Sequence, residues 1–382
     1  MPVIRTTDLV RSARRIEGMR RVVFLLVVLL VPSTAHADGC PPSQCATATV
    51  AVPGAPTLAV RPAGQHGPAS VYDLRTGRHV FALPSGVLSP DGRHHFSTRQ
   101  SPAELTVDRY DARTARRTDA WSLPRNWWLN AVSVHGRHLA FTRGGRRATS
   151  FLLTSAAGRI ERSFRLRGTF EVEAVSRDGR RLYLVQYLRA GYVVRAYDVR
   201  SGGLSTIRAG GDPAVMRGAA WTSVWAASGR WLLTLYLEAN GETAIHALDT
   251  RRSRAFCIDL PEASFEDARH YTLVVAPNGR TAVATNPATG VVARVDLERG
   301  SVESVSRFRP VAQPRPFGGT AAVGDGRVWF GYERDVWTYD LHTGAVTGPF
   351  AVRRRVMGIG VDPTHGAVRV VTFGGRVTTL RA

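Results

Sequence analysis

Ala174-Val175-Ser176-Arg177-Asp178-Gly179-Arg180 leads into Leu182-Tyr183-Leu184-Val185, then Val193-Val194-Arg195-Ala196-Tyr197-Asp198 and a Ser201-Gly202-Gly203 turn. This is one complete phrase of a pattern that the chain repeats. Two β-rich runs flank an Asp-Gly turn, a third run ends on an aspartate, and a glycine-bearing turn leads to a short last run. Asp-Gly and Asn-Gly adopt positive φ at no steric cost, which a tight hairpin between twisted strands requires. The aspartate that opens the second turn is placed to accept backbone N–H bonds while the glycine closes the bend.

Working outward, the first turn recurs at Ser89-Pro90-Asp91-Gly92-Arg93, His135-Gly136-Arg137, Ser228-Gly229-Arg230, Pro277-Asn278-Gly279-Arg280, Asp325-Gly326-Arg327 and Pro363-Thr364-His365-Gly366. The residues before each glycine are spaced by 44, 43, 50, 50, 47 and 40 positions. Propeller blades repeat at about 40 to 50 residues. The second turn recurs at Asp73-Leu74-Arg75-Thr76-Gly77 and Asp340-Leu341-His342-Thr343-Gly344. Asp111, Asp198, Asp249 and Asp296 hold the same place with looser followers, and Thr154-Ser155 replaces it in the third unit. Recurrence assigns these carboxylates to turn structure rather than to acid catalysis.

The pattern predicts an all-β chain folded as a β-propeller of four-stranded antiparallel blades. Six full units run from Gly86 to about Phe350, and the tail supplies strands near 356–361, 367–373 and 376–380. The segment Ala69 to Leu83 offers outer strands without preceding inner ones. Joining both ends in one composite blade would bury otherwise unpaired edges, so the expectation is seven blades, with six or eight as alternatives.

With 44% hydrophobic residues, a chain of 382 residues can fill the core of one such toroid. All 51 basic residues are Arg, against 30 acidic ones, a net charge of +21. An Arg-, Ala-, Gly- and Val-rich chain without Lys has the look of a GC-rich bacterial gene, and codon bias accounts for part of that charge. Met19-Arg20-Arg21, the apolar run Val22 to Val31 and Ala35-His36-Ala37 read as the basic, apolar and cleavage regions of a secretory signal. The run is ten residues, too short to span a bilayer, which needs about 20. The organisation expected is a signal peptide over 1–37 with Met19 as an alternative start, a Pro/Ala-rich leader over 38–56 and a propeller over 57–382. Arg20-Arg21 fits a twin-arginine signal poorly, which leaves ordinary export, and Cys40 offers lipid anchoring as an alternative location. Cys40 and Cys45 are spaced to close a small loop, whereas Cys257 reads as a small buried hydrophobe.

Loss of residues 1–37 leaves 45 basic against 28 acidic residues. Such a surface favours anionic partners: acidic proteins, wall polymers or lipid headgroups. Export disfavours nucleic acid.

The Ser-Pro-Asp-Gly-Arg plus Tyr-Asp-x-x-Thr-Gly rhythm resembles secreted bacterial propellers of the YVTN and Tol-translocation, WD-repeat-like type, across nearly the whole mature chain. That resemblance implies a toroid of four-stranded blades. The Gly-His and Trp-Asp pairs of true WD repeats are absent. The stretch Asp73 to Phe81 also resembles the tryptophan-docking repeat of quinoprotein dehydrogenases, with Phe in place of Trp and only two complete copies.

In a propeller both recurrent turns lie on one face, and the variable connections lie on the other. The candidate ligand residues on the variable face are Trp127, Trp128, Glu171, Glu173, Glu266, Asp267, His270, Arg315 and Arg353. Trp127 and Trp128 point to opposite sides of any strand, so one suits packing and the other stacking on a ligand. Glu171 and Glu173, two apart, are expected to share a face of the innermost strand, as an acid–base pair, as cation ligands or as partners of Arg165, Arg167 and Arg177. His270 beside Asp267 lacks any surrounding Gly-x-Ser-x-Gly or His-Glu-x-x-His motif. The reading is therefore a monomeric, exported, non-enzymatic propeller without cofactor or metal, binding a protein or an anionic envelope polymer through its loop-rich face. The alternatives are a lactonase- or glycosidase-like hydrolase, or a quinone-dependent dehydrogenase, working at the channel mouth. A third reading is a repeat protein that serves only its own assembly.

Overall fold

The computed structural model describes residues 48–52, 57–61, 67–145, 147–207, 215–238, 242–261, 263–312 and 319–380. These form eight antiparallel sheets, each built from consecutive strands: residues 48–83, 87–124, 128–167, 169–206, 219–259, 272–307, 320–351 and 356–380, here blades 1 to 8. The first seven have four strands and blade 8 has three. Successive blades pack face to face as an eight-bladed propeller around an axial channel.

The expected seven blades are thus corrected to eight, and among the described residues no strand is shared between the chain ends. Ala48–Val52 pairs with Thr57–Arg61, which pairs in turn with Ala69–Asp73, so blade 1 has inner strands of its own. The first of them lies inside the segment read as leader. Its link to the second, Pro53-Gly54-Ala55-Pro56, has none of the Gly-Arg lettering that marks the inner turns of blades 2 to 7.

Closure is a side-chain contact. Met357 and Val371 of blade 8 pack among Leu58, Val60, Tyr72 and Leu74 of blade 1. Arg369 Nε donates to the Leu74 carbonyl at 2.7 Å. Gly360 makes the approach possible, since a Cβ there would lie 2.5 Å from Leu74 Cδ2. On the other side, Ala59, Val71 and Leu83 of blade 1 meet Ala112 of blade 2.

The recurrent aspartates do what their position implies. Asp73 Oδ1 accepts from the N–H of Arg75 at 2.8 Å and of Thr76 at 3.0 Å, and Gly77 takes φ +70°. Asp111, Asp249, Asp296 and Asp340 repeat that two-donor pattern, and Asp198 accepts from the N–H and hydroxyl of Ser201. Backbone N–H donation holds the Asp198 and Asp340 carboxyls below the usual aspartate range.

Inner strands carry bulges that re-aim single side chains. Register shifts leave Asn130, Glu173, Trp221 and Met357 each without a partner position across the sheet. Glu173 enters the seam between blades 4 and 5, where its Oε1 lies 3.6 Å from Nε2 of the fully buried His246. Burial opposes charge on that imidazole, yet the Glu173 carboxylate outweighs burial, with help from Cys257, and raises the histidine to about 10. A raised value means that the charged pair stabilises the fold fully below the unfolded histidine value of about 6.5, and that this contribution fades as pH rises through the folded value.

Two outcomes follow. Leu74→Ala is expected to lower the unfolding free energy by about 2–5 kcal/mol in urea titrations, because a buried closure contact is lost on both blades; a loss within error would show that closure rests elsewhere. Glu173→Gln is expected to flatten the decline in stability between about pH 7 and 10, read as the difference between mutant and parent unfolding curves; parallel curves would contradict the ion pair.

Candidate functional site

The inner strands of blades 2 to 8 line an axial cavity of about 510 Å³. Apolar side chains dominate its wall, with hydroxyl and amide groups from Thr222, Thr234 and Asn130. Among the described residues lining it, Glu171 and Glu173 are the only charged ones, and no His, Cys or Arg joins them.

The two carboxylates do not work as a pair. Both line the cavity and lie close enough to Tyr236 of blade 5 to act on its hydroxyl, yet each is held by a separate partner. Glu171 accepts a hydrogen bond from Tyr187 Oη at 2.6 Å, while Glu173 faces His246 between the blades. Neither pairs with Arg165, Arg167 or Arg177, the partners that sequence proximity suggested.

The remaining candidates sit apart from the cavity wall. Glu266 and Asp267 belong to a single helical turn, Phe265–Ala268, in the connection between blades 5 and 6. Glu266 is exposed and bound to Arg269, and Asp267 exchanges hydrogen bonds with the Ser264 hydroxyl that caps the turn. His270 is buried, with Nδ1 3.0 Å from Tyr332 Oη and the two rings edge to face. An acid–base cluster of Glu171, Glu173, Glu266, Asp267 and His270 is therefore not assembled. Each of these side chains is engaged by a different structural neighbour.

Trp127 and Trp128 divide their roles. Trp127 is buried in the seam of blades 2 and 3 beneath the Arg143 guanidinium, 4.8 Å from the ring centroid, whereas Trp128 is 69% exposed. Arg353 is exposed in the connection from blade 7 to blade 8. Arg315 lies outside the described residues, as do Cys40, Cys45 and the proposed signal.

Among the described residues, the exposed aromatic side chains are Trp128, Tyr187, Phe265 and Phe373. All four lie at the end of the blades where the variable connections run, in the links 2–3 and 5–6 and the hairpins of blades 4 and 8. Arginines accompany them: Arg269 lies over Phe265 at 5.8 Å and Arg355 over Phe373 at 5.6 Å. Arg125, Arg143, Arg189, Arg334 and Arg354 are exposed at the same end. Tyr187, Phe265 and Phe373 escaped the reading of the sequence because a hairpin tip is recognised by its glycine or its register, and neither tells whether an adjoining aromatic is covered.

No helix among the described residues is long and apolar enough to cross a membrane. No protein-family model matches the chain, and no curated protein sequence does. Solved structures share the fold. The Dos1 propeller aligns with a TM-score of 0.51 over 88% of this chain and 93% of that one, at 13% identity. AztD of Citrobacter koseri aligns at 0.50 over 81% and 88%, with 12% identity. Sqt1 of Saccharomyces cerevisiae aligns at 0.50 over 89% and 97%, also with 12% identity. At such identities the likeness is one of architecture: the chain is a β-propeller, and its chemistry has to be argued from its own residues.

Proposed function

We propose that this chain is an exported, non-catalytic propeller that binds an acidic protein partner across its loop-rich face. The observation that carries the reading is the gathering of the exposed Trp, Tyr and Phe side chains among the described residues, with arginine neighbours, at one end of the blades. Aromatic residues and Arg are enriched in protein interfaces, where Trp, Tyr and Arg supply most of the binding energy. A rigid ring of sheets holds such side chains at fixed separations, which lowers the entropic cost of ordering a binding surface. The excess of Arg favours acidic partners and speeds their encounter.

Hydrolysis is disfavoured because its carboxylates and histidine are each engaged separately, and quinone chemistry because the docking repeat has only two complete copies, with Phe in place of Trp. The signal-like N-terminal stretch and the turn rhythm shared with secreted YVTN-type propellers support export. A monomer suits a closed ring, and an anionic wall polymer is the competing ligand for the same face.

The test is affinity capture by mature protein from an envelope extract of the source cells, with the retained material identified and then titrated. Trp128→Ala and Phe373→Ala are expected to weaken the complex about 30-fold each, the effect of losing a side chain worth about 2 kcal/mol. Both positions are exposed, so thermal unfolding should be unchanged. Retention of a carbohydrate or polyanion without protein, or equal binding by both variants, would overturn the reading.

A further inference from the structure

The opposite face, formed by the recurrent turns, carries a second feature. Asp91, Arg93, His94, Arg109, His135, Arg137 and Arg177 enclose a cleft of about 350 Å³. Three consecutive blades build it: the inner turns of blades 2, 3 and 4 contribute Arg93, Arg137 and Arg177, and Arg109 comes from the third strand of blade 2. Gly136, at φ +65°, lets the turn of blade 3 settle on the His94 ring, because a Cβ there would lie 2.8 Å from His94 Cδ2. Asp91 N donates to the Val134 carbonyl across the same seam.

The cleft is unbalanced in charge. Its one carboxylate, Asp91, is engaged by the Ser89 hydroxyl at 2.6 Å, by Arg93 N at 3.1 Å and by His135 Nδ1 at 3.1 Å. Asp111, close enough to influence His94, spends Oδ1 on the turn N–H groups of Arg113 and Thr114. Among the described residues, none of Arg93, Arg109, Arg137 and Arg177 forms an ion pair. Elsewhere on this protein arginines near turns do find carboxylates: Arg230, Arg252 and Arg254 surround Glu298, and Arg99 and Arg117 hold Asp108. Arg109 reaches His94 with Nη2 at 3.3 Å, and its Nε is buried without an acceptor. Burial, then the Arg109 charge, holds His94 below the usual histidine range, so this ring is neutral near pH 7 and can accept from the guanidinium. A buried guanidinium donor without an acceptor is costly unless something supplies one.

We infer that this cleft is a binding site for a phosphoryl group, whose oxygens would accept from guanidiniums presented by three blades. Arg matches a tetrahedral oxyanion with paired, charge-assisted hydrogen bonds, and several arginines bordering one cleft, three of them exposed and able to reorient, suit a dianion better than a single carboxylate. The group can come from free phosphate or from the chain of a phosphate-bearing polymer. The site is independent of the loop-rich face, and its success or failure leaves the protein-binding reading untouched.

The test is calorimetric titration of the mature protein with inorganic phosphate and, separately, with inorganic polyphosphate. Phosphate is expected to bind with 1:1 stoichiometry, and Arg109→Gln and Arg177→Gln are each expected to weaken it about tenfold or more. Arg177 lies on an exposed turn, so its variant should fold even if the Arg109 variant does not. Arg165→Gln, on the outer strand of blade 3, is the control for general charge. Tighter binding of polyphosphate than of phosphate, lost in the same variants, identifies a polymer as the source; equal dependence of both on the two arginines with no gain from chain length identifies the free ion. No binding at millimolar phosphate, or the same loss in the Arg165 variant as in the Arg177 variant, would overturn the assignment.

Discussion

Everything on either face of this molecule depends on the ring closing where blade 8 meets blade 1. Elsewhere, neighbouring blades are joined by a short covalent connection. Here the join is a packed layer of Leu58, Leu74, Met357 and Val371, with hydrogen bonds from Arg369 to the Leu74 and Arg75 carbonyls. Many propellers are held shut by a blade that both chain ends share; this chain completes its first blade with its own inner strands and stops blade 8 at three among the described residues. Apolar burial at the seam must then hold the circle, which is why Gly360 faces Leu74, where a larger residue would push the blades apart.

A closed ring divides function by face. Turns with fixed chemistry gather at one end of the blades, where Asp carboxylates are consumed by backbone N–H groups and the arginines that follow them are left with fewer partners. In blades 2 to 4 this produces a cationic cleft. At the other end, connection lengths vary freely, and exposed aromatics and arginines collect there. The channel between the faces is mainly apolar, and its two carboxylates are tied to Tyr187 and His246. The cationic excess is thus presented at both ends of the blades, an arrangement suited to recognising anionic surfaces rather than to bond breaking.

Particular residues show how far the chain could be read before it was folded. The Asp-Gly and Asp-x-x-Thr-Gly turns were legible because their chemistry is local: a carboxylate two or three residues from the amides it accepts from, and a glycine where φ must be positive. Blade 1 was missed because its inner strands are joined through Pro53-Gly54-Ala55-Pro56, which carries no such mark. The bulge at Glu173 was equally illegible, because a bulge is a property of strand pairing rather than of residue type. His246 was invisible as a site residue, since nothing local relates it to a glutamate 73 positions earlier.

Sequence alone determined the repeat, the β class, the structural duty of the turn aspartates and the cationic excess, because each follows from residue type or from contacts within a few positions. Only the tertiary structure decided the number of blades, the separation of the expected acid–base residues, the gathering of exposed aromatics on one rim and the convergence of Arg93, Arg109, Arg137 and Arg177. Those depend on which blades become neighbours, and neighbourhood in a ring is settled by packing between sheets, not by order along the chain.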